Sequence, residues 1–78
     1  MKENKFVKTQ CTILRDAIKN MENATTKMDL IMAYDMCRGY AYYSYYYTEK
    51  MSRDMFTYFS RKLTYWYGYH MLRLESEV

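Results

Sequence analysis

Seventy-eight residues with a formal charge of +3 make one small domain. A chain of this length buries only about 60% of the surface it exposes when unfolded, which leaves no room for a deep enclosed catalytic cleft. The 12 basic and 9 acidic residues create no strongly one-signed field, so neither long-range capture of a polyanion nor acidic mimicry of nucleic acid is expected.

Hydrophobic residues make up 50% of the chain, yet the mean hydropathy is −0.59. The 11 Tyr and 8 Met reconcile the two values. Tyrosine pairs an apolar ring with a hydroxyl that seeks a partner or water, and methionine adapts to irregular gaps. Proline is absent and glycine occurs only at Gly39 and Gly68. Sheets need turn residues, so their scarcity predicts helices joined by short polar links. Residues 1–8 are charged and carry no apolar run, so no secretory signal is expected. The most apolar stretch, 30–47, is interrupted by Asp35 and Arg38 and does not read as a membrane span. The expectation is an intracellular, cytoplasmic protein without membrane contact, with Cys11 and Cys37 as thiols.

A first helix is predicted over 3–21. Val7, Cys11, Leu14, Ile18 and Met21 alternate steps of four and three, which places them on one stripe. Residues 23–26 read as a connection. Thr26 followed by Asp29 resembles a capping box with Asp in place of Glu. A second helix runs from Lys27 to at least Tyr46, with Leu30, Ala33, Cys37, Tyr40, Ala41 and Ser44 inward. A third is predicted over 52–75, with Met55, Phe56, Phe59, Leu63, Trp66, His70 and Leu74 inward.

At the junction 48–52 Thr48 or Ser52 can cap a new helix, yet there is no Gly or Pro, and the apolar stripe passes through Met51 and Met55 in phase. A compact all-α three-helix bundle is the favoured reading. The alternative is a helical hairpin with one helix over 27–75, about 70 Å long, which would have to dimerise to bury its stripe. If the first two helices form a hairpin, Cys11 and Cys37 fall at one level. That predicts small residues packed in one layer or, as a sharper reading, a disulfide or redox pair.

Catalytic signals are thin. The single histidine, His70, falls on the inward stripe, where packing is the expected role. The two cysteines and His70 lack the paired spacing of a zinc site, and no phosphate loop or nucleophile elbow is present. A non-enzymatic protein without cofactor or metal is expected.

The tyrosines carry the functional reading. Six fall between Tyr40 and Tyr47, more than one helix can turn inward. Tyr34, Tyr40, Tyr45, Tyr47 and Tyr67 are expected to flank the core. Tyr42, Tyr43 and Tyr46, and the stripe Tyr58, Lys62, Tyr65 and Tyr69, are expected outside as a partner-binding surface. Lys62 between rings suits a cation–π contact.

The leading expectation is a small protein that occupies and blocks a protein partner, such as a nucleic-acid-processing complex, through a Tyr/Met-rich helical surface. Its Lys, Asn, Met and Tyr usage resembles that of an AT-rich bacterial or phage genome. A phage or mobile-element inhibitor of the anti-defence or anti-CRISPR type fits that style. Arg53, Arg61, Lys62 and Arg73, interleaved with aromatic residues, are the alternative candidates for direct nucleic-acid contact. A structural homodimer is the third reading.

Overall fold

A computed structural model describes residues 5–76 and shows an all-α three-helix bundle. Helix α1 spans Val7–Asn23, α2 spans Lys27–Tyr42, a π-helical turn follows at Tyr43–Tyr47, and α3 spans Arg53–Ser76. The start expected for the first helix, Glu3, lies outside the described residues.

The first hairpin forms as the sequence suggests. The Thr26 side chain accepts a hydrogen bond from the Asp29 N–H at 3.1 Å, with Asp29 in the positive first turn of α2. The closing end of α1 is held differently. Ala24 turns extended and buried, and the Arg73 guanidinium donates to the carbonyls of Met21, Glu22 and Ala24 at 3.4, 3.3 and 3.0 Å. Carbonyls that a helix end leaves unpaired thus meet a cation at the negative pole of the dipole.

The second junction is a real break, which overturns the long-helix alternative. It uses hydroxyls where other chains use Gly or Pro. Thr48 Oγ1 donates to the Ser44 carbonyl at 3.3 Å and accepts from the Lys50 N–H at 3.4 Å. Glu49 takes the left-handed conformation, φ 56°, which costs about 1–2 kcal/mol for a non-glycine residue. Ser52 Oγ then accepts from the Met55 N–H at 3.1 Å and starts α3. The link is anchored from across the bundle, because Gln10 Nε2 donates to the Lys50 carbonyl at 2.9 Å.

The core joins Leu14, Ala17 and Met21 of α1, Leu30, Cys37 and Ala41 of α2, and Phe59, Leu63 and Leu74 of α3, with Met51 of the link packed in. The inward stripes of α2 and α3 match expectation, and small Cys37, Ala41 and Ser44 are all buried. The stripe of α1 matches at Leu14 and Met21, but its centre is turned. Its buried line is Gln10, Leu14, Ala17 and Met21. Two neighbouring helices draw the centre of the buried face to the line between them. Ile18 is left at the α3 side and Ile13 at the α2 side. Gln10 holds an inward position that no apolar pattern reveals.

That rotation also removes the cysteine pairing. Cys11 is exposed and Cys37 is buried, and both are free thiols. Neither the shared layer nor the disulfide is present. Burial pushes the Cys37 thiol up to about 11, so it stays protonated and inert at neutral pH.

Candidate functional site

The bundle sorts its tyrosines into three groups. Tyr34 stacks on Tyr67 with ring centroids 4.3 Å apart, Tyr40 lies 6.2 Å from Phe59, and Tyr45 stacks on Phe56 at 4.5 Å. These four are half-buried against the core, as expected. Tyr47, expected among them, is 79% exposed. The π-turn is the reason. Its hydrogen bond, from the Thr48 N–H to the Tyr43 carbonyl at 3.0 Å, closes a wider turn than an α-helix has. That delays the phase and carries Tyr47 outward, where it stacks on Tyr43 at 5.8 Å.

The second group lies on the outer side of α2 and the π-turn. Tyr43 and Tyr46 are well exposed, and Tyr42 is 41% exposed. Tyr42 is the most engaged of the three. Its ring meets the edge of Phe56 at 5.3 Å, stacks on Tyr46 at 5.7 Å and lies under the Arg38 guanidinium at 5.0 Å. The same face continues along α2 through Met28, Met32 and Met36, all exposed, at i, i+4 and i+8. Gly39 sits at its centre, and a Cβ placed there would meet nothing within 4 Å. A Tyr/Met-rich helical surface is the sequence expectation, but it does not single out this row, whose four-residue spacing lies on the side opposite Leu30 and Cys37.

The third group is the α3 stripe. Tyr58, Tyr65 and Tyr69 are exposed, and Lys62 Nζ lies 5.7 Å from the centroid of the Tyr58 ring. Trp66 anchors the row. Tyr65 and Tyr69 make T-shaped contacts with it at 5.0 and 5.5 Å, and His70 stacks on it at 5.8 Å. Beside the stripe runs a groove between α1 and α3, walled by Cys11, Leu14, Arg15 and Ile18 on one side and Tyr58, Lys62 and Trp66 on the other. It continues past Ile18 and Trp66 to Glu22, Tyr69, His70 and Arg73. Lys8 and Lys19 share the stripe of Arg15 at i, i+7 and i+11, and all three are exposed. Of these, Arg15 lines the groove with Lys62, a juxtaposition that exists only once the two helices are packed, and Lys8 and Lys19 extend its row along α1 by helical phase.

The four candidate nucleic-acid contacts are not brought together. Arg53 and Lys62 lie on opposite sides of α3, and Arg61 is a quarter-turn from Lys62 by helical phase. Arg73 is half-buried, spent on the end of α1 and on His70, whose Nδ1 accepts from Arg73 Nε at 3.0 Å. His70 is buried and packed, as expected of it. Burial, then the neighbouring Arg73 charge, holds its pKa below the ordinary 6.5, against a smaller opposing pull from Glu22. The geometry therefore favours a neutral imidazole with Nδ1 as acceptor.

Among the described residues, no three His, Cys, Asp or Glu side chains gather as a metal would require. No helix among them is long and apolar enough to cross a membrane. Comparison with known protein families, with curated proteins and with solved structures finds no match to this chain.

Proposed function

We propose that the protein is a non-enzymatic interaction module that binds a protein partner along the α1–α3 groove and the adjoining α3 stripe. One observation carries this reading. Tyr58, Tyr65 and Tyr69 stand exposed in a row beside an apolar groove, although the core closes without them. Tyrosine supplies large contact area at low entropic cost, and exposed aromatic clusters concentrate at interfaces. The rim of Lys8, Arg15, Lys19 and Lys62 favours a partner segment with carboxylates flanking apolar anchors. The action of such a module is to occupy a surface on its partner. In keeping with its size and residue usage, we place it as an inhibitor carried by a phage or mobile element and acting on a host defence complex of the nucleic-acid-processing kind.

The same cationic rim supports a second reading, direct binding of single-stranded nucleic acid. Placement of the cations weighs against it. Arg53 and Arg61 do not share a side of α3 with Lys62, and Arg73 is spent on the end of α1 and on His70.

The two readings separate in one experiment. The tagged protein and its Tyr65→Ala/Tyr69→Ala variant are used to capture partners from a host-cell extract, with and without nuclease. Capture of a defined protein, resistant to nuclease and lost in the variant, supports the proposal. Equal capture by both forms refutes the surface. Binding that disappears with nuclease, together with a low-salt gel shift, moves the assignment to nucleic acid.

A further inference from the structure

The outer face of α2 is unused by the fold and is not part of the groove. We propose that this face pairs with its own copy, making a two-fold dimer in which two α2 helices cross antiparallel at Gly39.

Three independent observations support this occupant. The first is area. Met28, Met32, Met36, Tyr43, Tyr46 and Tyr47 are each more than half exposed. Taking about 200 Å² for a whole large side chain, these six leave roughly 750 Å² outside the fold. Monomers rarely leave so much contiguous apolar surface in water. Pairing two such faces would remove roughly 1,500 Å² in total, inside the range of about 1,200–2,000 Å² for stable interfaces.

The second is Gly39. A glycine within a helix is destabilising relative to alanine. Here the backbone is right-handed, since no glycine has positive φ, and the space around the missing Cβ is open. Among the described residues, nothing crowds this position or requires glycine there. A second helix crossing here would, because the absent side chain lets two backbones approach.

The third is self-complementarity. A two-fold axis beside Gly39 brings residue i of one protomer level with residue 78 − i of the other. Met32 comes level with Tyr46, and Met36 with Tyr42 beside Tyr43. The methionine half of each face therefore meets the tyrosine half of its copy, a pairing that thioether–aromatic contacts favour. Asp35, on the same face, comes level with Tyr43, whose hydroxyl can donate to the carboxylate. The surface is its own complement, which an isologous interface demands.

Sedimentation equilibrium and light scattering from micromolar to millimolar concentration test the pairing. The expected result is a reversible dimer of twice the 9.6 kDa chain. Met32→Glu with Met36→Glu should weaken it by at least about tenfold, because each carboxylate would be buried against the copy's tyrosines with no compensating charge. Both positions are exposed, so circular dichroism and Tm should stay unchanged. As a second measure in folded protein, Gly39→Cys in a Cys11→Ser background should form a reducible cross-linked dimer under mild oxidation.

A chain of 9.6 kDa at every concentration overturns the proposal. So does a dimer indifferent to the two glutamates, or one whose Gly39→Cys protomers fail to cross-link. If the chain stays monomeric and the glutamates instead abolish partner capture, the face belongs to the partner and the two-fold pairing is wrong. Loss of the dimer with capture intact leaves the groove proposal standing, so the two readings fail separately.

Discussion

The α1–α3 groove and the outer face of α2 are both rich in exposed aromatic or apolar side chains, but they are attached to the fold in different ways. The groove is built from groups that also hold the bundle together. Trp66 and His70 pack within its wall, and Arg73 ties α3 to the end of α1. On the α2 face, Met28, Met32, Met36 and Gly39 lie outside the core, while Tyr42 and Tyr46 reach it at Phe56. Its methionines and Gly39 can change with little effect on folding, whereas a change at the base of the groove alters stability and site together. An effect on binding is therefore interpretable on α2 directly, and on the groove only at its outer tyrosines.

The largest effect that sharpens this contrast is expected at Arg73. Arg73→Leu removes the donor to three carbonyls and to His70, and should lower stability by about 2–3 kcal/mol. For a domain of this size that lowers Tm by roughly 10–20 °C, readable by thermal melting. If Tm is unchanged, the groove is not coupled to the closure of α1.

A smaller effect should follow pH. His70 has a folded pKa below its unfolded value, so protonation favours the unfolded chain. Its contribution is complete above about pH 6.5 and is lost as pH falls through the folded value. Urea midpoints should therefore drop between pH 7.5 and pH 5.5. In His70→Gln, where the side-chain oxygen can still accept from Arg73, that part of the slope should disappear. An unchanged slope would mean that other groups carry it.

Smaller still, and opposite in sign, is Gly39→Ala. In open space on a helix it should stabilise the protomer by about 0.5–1 kcal/mol. A destabilised monomer would show that the glycine serves the fold after all, and the contrast between the two surfaces would weaken.

Most of the fold was legible, because helical phase is local information. Thr26 with Asp29 marked a helix start, and Leu30, Phe59, Leu63 and Leu74 fell on the stripes where burial places them. What failed was set by neighbours. The inward line of α1 depends on having two helices beside it, which hid Gln10 and wrongly buried Cys11. The break at 48–52, by contrast, follows the favoured reading, with Ser52 capping α3 and Thr48 bonding the link; the left-handed Glu49 is the part that leaves no periodic trace.

The candidate surfaces divide in the same way. The α3 tyrosines were found because phase alone puts them outside. Tyr47 was misplaced because a π-turn alters the phase within its own span. Lys8, Arg15 and Lys19 were missed because their partner in charge, Lys62, lies on another helix. Gln10 remains an oddity of the interior. It is 1% exposed, and its Oε1 has no hydrogen-bond partner among the described residues.

The central claim is that the outer tyrosines of α3 serve a partner and not the fold. Tyr65→Ala with Tyr69→Ala tests it most directly, by thermal melting and partner capture on the same preparation. The account predicts a stability change within about 1 kcal/mol, with capture reduced at least about tenfold. Undiminished capture, or a collapse of Tm like that expected for Arg73→Leu, would contradict it.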